Sequence, residues 1–81
     1  MIDLENIDAM SSTDFIELDF ADRLKIVRRK KKLTIEQLEK LSGVSRGLID
    51  AYENRRNSPR LATLEWLCRS LEVKASTLLG F

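Results

Sequence analysis

Positively charged side chains are the residues of this sequence that could do chemistry, through attraction to phosphate groups. Five consecutive bases occupy residues 28–32, and Arg55, Arg56 and Arg60 lie together in a polar loop. Clusters of this kind are typical of nucleic-acid binding. The run at residues 28–32 has a second interpretation, the solvated last turn of a helix, which its composition alone favours.

The charge is distributed unevenly along the chain. Residues 1–22 hold seven acids and no lysine or arginine, whereas residues 23–81 hold all fourteen bases and six acids, a net of +8. Such asymmetry predicts a body that faces nucleic acid and carries an acidic arm. We place the arm at residues 1–18 and the folded domain at residues 19–81. The arm is expected to be either partly disordered or packed on the domain through its few apolar residues. We also consider that it folds back, at least transiently, on the basic face.

Enzymatic, metal and membrane functions find little support in the composition. The sequence has no histidine and one cysteine, Cys68, which falls on an apolar helix stripe and is expected to be a core residue. It has no phosphate-cradling glycine loop and no paired-carboxylate cleft. We therefore expect no enzyme, metal site or cofactor. Apolar runs are too short to span a membrane and the N-terminus is acidic, so the expected location is the cytoplasm.

Residues 34–54 have the pattern of two short helices joined by a tight turn. Thr34 and Gln37 form a capping box, Gly43 can end the first helix at positive φ, and Ser45 can cap the second. The apolar positions between these signals are Leu38, Leu41, Val44, Leu48, Ile49 and Tyr52. This order and spacing predict a helix-turn-helix, whose second helix lies in the major groove of DNA.

The flanking sequence predicts three more helices. Helix 1 covers about residues 19–31 with Phe20, Leu24 and Val27 on its buried face, and helix 5 is a single turn near residues 75–79. Helix 4 covers about residues 59–71, because Ser58 and Pro59 are start signals. Its predicted buried stripe consists of Leu61, Leu64, Leu67, Cys68 and Leu71. The predicted fold is all-α.

In this arrangement residues 20–79, about three quarters of the chain, resemble the phage-repressor (Cro and repressor, XRE-like) type of helix-turn-helix domain. The matching residues are Arg23, Leu24, Arg28, Leu33, Thr34, Leu38, Gly43, Val44, Ser45, Ile49, Glu53, Pro59, Leu64, Leu71, Val73, Leu78 and Leu79. The resemblance implies a compact five-helix DNA-binding domain with helices 2 and 3 as its helix-turn-helix. The acidic N-terminal extension lies outside the resemblance.

The resemblance also implies a set of DNA contacts. Base reading is expected from Ser45, Arg46, Gly47, Leu48, Asp50 and Ala51, with Arg46 forking onto guanine O6 and N7. Phosphate contacts are expected from Arg28, Thr34, Gln37, Asn54, Arg55, Arg56 and Arg60. The implied charge pair of Arg28 with Glu53 either stabilises the fold or orients Arg28 toward a phosphate.

Three residues depart from the family pattern. Ile35 stands where the family usually has glutamine, and Arg55 stands where it often has glycine. Glu39 replaces the usual alanine at the close crossing of the two motif helices. We expect Glu39 either to bend outward or to find a cation.

Two functions follow as expectations. The first is a sequence-specific regulator of transcription that binds double-stranded DNA, as a homodimer on a pseudo-palindromic operator. Trp66, off the buried stripe of helix 4, is the candidate dimer contact, unless it only covers helix 5. The alternative is a protein-interaction module on the same fold, resembling an antitoxin or an anti-regulator, whose partner engages the acidic arm.

Overall fold

The computed structural model describes residues 19–80, and these fold into five helices. They are α1 (Phe20–Lys30), α2 (Ile35–Ser42), α3 (Arg46–Glu53), α4 (Leu61–Leu71) and α5 (Ala75–Leu79). The all-α prediction is confirmed. The predicted acidic arm at residues 1–18 lies outside the described residues, as does Phe81. No helix within residues 19–80 is long and apolar enough to cross a membrane.

One apolar core joins all five helices. Leu24 of α1 and Ile49 of α3 are fully buried at its centre, because both lie on the apolar stripes of their helices. Phe20 packs edge-on against Tyr52, with ring centroids 5.8 Å apart. The buried members of the core are Leu24, Val27, Leu38, Val44, Ile49, Tyr52, Leu64, Leu67, Cys68, Leu71 and Leu78. Ala21 and Ile26, which the predicted stripe of helix 1 omitted, are buried as well.

The helix-turn-helix forms where the sequence predicts it. Thr34 and Gln37 make the capping box of α2, and Gly43 ends that helix at φ +76°. Val44 is buried in the turn, and its backbone N–H donates to the Ser42 hydroxyl at 3.1 Å. These short-range contacts form the turn that joins α2 to α3.

The sequence places Leu38 and Leu41 on one apolar face of α2, and this prediction is wrong for Leu41. Leu41 is 59% exposed, whereas Leu38 is fully buried. The buried strip of α2 runs through Leu38 and Ser42, at i and i+4, so Leu41 falls to one side of it.

Helix α4 begins later than predicted. Its N-cap is Arg60, which makes no side-chain capping hydrogen bond, and Ser58 and Pro59 remain in the loop. The core contacts of α4 begin at Leu64, so Leu61, in the first helical position, is 83% exposed rather than buried. Cys68 is buried as expected, and burial raises the pKa of its thiol.

A buried arginine connects α1 to the end of the domain. The Nη1 of Arg23 donates to the Thr77 carbonyl at 3.0 Å. Gly80 follows α5 at φ +88°, where a Cβ would lie 3.0 Å from the Arg23 guanidinium carbon. Both the positive φ and this close approach require glycine at position 80.

Candidate nucleic-acid interface

Two side chains hold the N-terminus of α3 in place. The Ser45 hydroxyl accepts a hydrogen bond from the Leu48 backbone N–H at 3.2 Å. The Glu39 carboxylate accepts one from the Arg46 backbone N–H at 2.8 Å. The sequence left Glu39 two outcomes, to bend outward or to find a cation. Within residues 19–80 its carboxylate instead meets the positive end of the α3 dipole. This contact fixes the start of α3 against α2.

A buried ion pair holds the C-terminal end of α3. Glu53 accepts from Arg28 Nε at 2.7 Å and from Arg28 Nη2 at 2.9 Å. The third nitrogen, Nη1, donates to the Leu33 carbonyl at 2.7 Å. Because the whole guanidinium is engaged, the geometry favours a positioning role for Arg28. Its phosphate contact stays a prediction.

The outward face of α3 borders an open groove of about 330 Å³. The groove is lined by Ile35, Glu36, Arg46, Gly47 and Asp50. At Gly47 a Cβ would meet no atom within 4 Å, so the fold itself leaves room there for a close partner. The groove therefore unites three of the six predicted base-reading residues with two residues of α2.

The other three predicted base-reading residues lie outside this groove. Ser45 is exposed and caps α3, and Ala51 is half-buried. Leu48 packs on the core and lines a second depression of about 450 Å³. That second depression is also lined by Tyr52, Asn57, Ser58, Arg60 and Thr63. Of the six predicted base-reading residues, three therefore line the first groove, Leu48 lines the second, and Ser45 and Ala51 line neither.

Arg46 projects into solvent beside a carboxylate. Its Nη1 donates to Glu36 Oε1 at 3.3 Å, and both side chains are more than half exposed. The pKa of Glu36 lies below its ordinary value, chiefly because its own backbone N–H stabilises the carboxylate. Desolvation raises this pKa, and Arg46 lowers it. Glu36 therefore stays ionised beside the groove.

Asp50 is held by two neighbours from the end of α3. Arg56 Nη2 donates to Asp50 Oδ2, and Asn54 Nδ2 donates to Asp50 Oδ1 at 3.1 Å. A negative charge at position 50 would repel nearby phosphates of bound DNA. Arg56 offsets that charge, and both side chains remain partly exposed.

Arg55, predicted to contact phosphate, is tied to the start of α1. It donates to the two oxygens of Asp19 at 2.8 and 3.1 Å and to Asp22 at 2.6 Å. Although desolvation raises it, the pKa of Asp19 lies below its ordinary value, because the Asp22 backbone N–H and Arg55 stabilise the carboxylate. Arg55 adopts φ +59°, which explains why a glycine also suits this position.

The remaining predicted phosphate ligands are exposed. Thr34 and Gln37 lie at the N-terminus of α2, where each backbone N–H donates to the other side chain, at 2.8 and 3.1 Å. Arg60 is exposed at the N-cap of α4. Within residues 19–80, no three acidic or cysteine side chains are grouped so as to hold a metal ion.

Sequence reasoning missed three carboxylates of this surface. Glu36, Asp19 and Asp22 pair with predicted DNA-contacting arginines. The ion pairs bridge separations of ten to 36 residues. No periodicity in the sequence signals contacts of that range.

Comparison with known proteins agrees with this geometry. Residues 19–78 match the protein family described as "Helix-turn-helix domain". The chain is 38% identical over 62 residues to RghRB, an uncharacterised HTH-type transcriptional regulator of Bacillus subtilis (strain 168), covering 75% of this chain and 45% of RghRB. It is 34% identical over 58 residues to the immunity repressor protein of Bacillus phage phi105, covering 72% of this chain and 40% of the repressor.

A solved structure has the same architecture. The restriction-modification controller protein C.AhdI from Aeromonas hydrophila superposes with a TM-score of 0.72 at 27% identity, over 83% of this chain and 98% of the controller. The chain spans less than half the length of the curated relatives it matches. Its match nevertheless covers both motif helices and the core that positions them. The chain therefore belongs to the helix-turn-helix domain family, of the phage-repressor type that its sequence resembles.

Proposed function

We propose that this domain binds double-stranded DNA at specific sequences and thereby regulates transcription. The observation that carries the proposal is the exposed N-terminal half of α3, where Arg46 and Gly47 border an open groove. Helix-turn-helix proteins read bases with this part of the second motif helix. The names of the relatives, a transcriptional regulator and a phage repressor, support the same function.

The contacts around α3 suit it to enter the major groove as a rigid element. Glu39 and Ser45 hold its first turn, and the buried pair of Arg28 with Glu53 holds its last turn. A helix fixed at both ends presents its outward side chains without reorganisation, which lowers the entropy lost on binding.

Each DNA contact then has a chemical role. Arg46 donates to the O6 and N7 acceptors of guanine. The α2 N-terminus and the exposed Arg56 and Arg60 bind phosphate oxygens, which position the domain without specifying bases. Ile35, on the rim of the groove, offers an apolar contact to a thymine methyl group where the family usually has glutamine.

We further propose that two copies pair through α4 and read a pseudo-palindrome, with half-sites about one helical turn apart. Trp66 is 55% exposed and Leu61 is 83% exposed on this helix. The Arg69 guanidinium lies 5.9 Å from the Trp66 ring centroid. Exposed tryptophans are frequent anchors of interfaces. The proposed site of action is the cytoplasm.

The experiment is selection of duplexes from a randomised pool, followed by affinity measurements over a range of salt concentrations. DNA binding predicts an enriched consensus and an affinity for random duplex that falls steeply as salt rises. Absence of enrichment, together with no salt dependence, would contradict the proposal.

The second candidate is the protein-interaction module. It is favoured by the ion pairs that occupy Arg46, Arg55 and Arg56, since these pairs reduce the positive charge available to phosphates. The same salt titration separates the two functions, because a protein-binding module would show weak affinity for random duplex at every salt concentration.

A further inference from the structure

Glu36 lines the groove and carries a negative charge, which would repel DNA. Its ion-pair partner is Arg46, a predicted base reader. Glu36 lies in the first turn of α2, and its Oε1 accepts from Arg46 Nη1 at 3.3 Å across the turn of the motif. The two side chains form part of the groove wall together with Ile35, Gly47 and Asp50.

The pair of Glu36 with Arg46 is not needed to build either helix. The capping box of Thr34 and Gln37 already starts α2, and Ser45 and Glu39 already cap α3. Ion pairs this exposed contribute little to folding. We therefore expect the position of Glu36 to affect which groups Arg46 can bind.

The contact leaves part of the guanidinium available to a second partner. Within the described residues, Glu36 engages Nη1 alone. An arginine has five N–H donors in a planar fork, so the edge formed by Nε and Nη2 can donate to guanine while Nη1 keeps Glu36. A phosphate on the DNA backbone carries a negative charge, so the neighbouring Glu36 carboxylate repels it, whereas the uncharged edge of guanine meets no such repulsion.

Resting on the function proposed above, we propose that Glu36 is a specificity-determining residue that holds Arg46 over the groove for guanine and away from phosphates. Glu36 stabilises the guanine-bound orientation of Arg46. When Arg46 moves away, the unpaired Glu36 carboxylate repels the DNA phosphates. On the opposite side of the groove, Asp50 is already matched by Arg56. Glu36 acts through Arg46 and does not itself contact a base.

The test is Glu36→Gln, which keeps the size of the side chain and removes its charge. On random duplex we expect affinity to rise about two- to fivefold, the range expected for one exposed ion pair. The logarithmic salt slope should steepen by up to about one unit, as for one additional neutralised phosphate. On the preferred site affinity should stay level or fall, so the ratio of specific to random binding decreases.

Two controls isolate the mechanism. Glu65→Gln makes the same charge change in another exposed pair, Glu65 with Arg69, on α4, outside the groove; its solution mass is checked because Trp66 is nearby. In an Arg46→Ala background, Glu36→Gln should have no effect beyond that of Glu65→Gln. Equal effects of Glu36→Gln and Glu65→Gln in the wild-type background would show a simple charge effect and overturn the inference.

Two other results would overturn it. If Glu36→Gln acts equally with and without Arg46, Glu36 does not work through that arginine. If the variant loses preference for a cytosine while random binding is unchanged, Glu36 is a direct base reader. Failure of the inference can be distinguished from failure of the proposed function. If the proposed function is wrong, the wild-type protein itself selects no consensus and shows no salt dependence.

Discussion

The two ends of α3 carry arginine–carboxylate pairs that differ in burial and therefore in use. At the C-terminal end, the side chains of Arg28 and Glu53 are only 9% and 3% exposed and share two hydrogen bonds. At the N-terminal end, Arg46 and Glu36 are 64% and 57% exposed and share one contact of 3.3 Å. The same chemistry thus forms a buried, fixed support at one end and a weak, solvent-exposed contact at the other.

The difference follows from the environment. A buried charge that loses its partner keeps its desolvation penalty, so the Arg28–Glu53 pair cannot open cheaply. An exposed charge regains water when its pair opens, so Arg46 can change partners at little cost. A DNA reader needs both properties, since the helix must stay still while its side chains rearrange.

The sharpest test of this comparison is Glu53→Ala. Removing one partner of a buried pair should lower the free energy of unfolding by about 3–5 kcal/mol, because Arg28 is left buried and uncompensated. Urea denaturation measures the loss. Glu36→Ala is the matched control and should leave the unfolding midpoint nearly unchanged; similar losses in the two variants would remove the distinction between the two ends of α3.

Trp66→Lys examines an exposed residue that we expect to be buried in a dimer. Interface anchors contribute about 2 kcal/mol or more to association when truncated, so this variant should be monomeric. Light scattering gives the solution mass, and a duplex with two half-sites reports the affinity. A variant with unchanged mass and unchanged full-site affinity would place Trp66 outside any interface and exclude it as a dimer contact.

Arg46→Ala examines the exposed end directly. We expect a loss of about 1–3 kcal/mol on the preferred site and a relaxed choice of one base. Stability should change little, since the Arg46 side chain is 64% exposed and, within residues 19–80, pairs with one exposed carboxylate. An equal loss of affinity for preferred and random duplex would show that Arg46 is a phosphate contact instead.

Asp19→Asn should give the smallest effect. The folded-state pKa of Asp19 lies below its ordinary value of 3.8, so its stabilising contribution is present above that pH and is lost as the pH falls further. Asparagine still caps α1 but lacks the charge that pairs with Arg55. Stability near neutral pH should fall by less than about 1 kcal/mol, and the acid-side decline should become shallower. If the decline of stability at acid pH is unchanged, the ion pair of Asp19 with Arg55 is not coupled to folding.

The sequence alone determined the features that depend on near neighbours. The capping box of Thr34 and Gln37, the positive φ of Gly43 and the cap by Ser45 each involve atoms within four residues. Their geometry is set by the local backbone, so spacing is enough to predict them. Local periodicity was likewise enough to predict the five helices, although it placed Leu41 and Leu61 on the buried side.

Only the tertiary structure decided which charges meet and which apolar residues stay exposed. Glu36 reaches Arg46 and Asp19 reaches Arg55 because the packing of the helices brings distant residues together. Leu61 is exposed because it is the first residue of α4, and the buried positions of that helix begin only at Leu64. The sequence shows which charged residues are present. Which of them form ion pairs depends on distances between side chains, and these are set by the packing of the core.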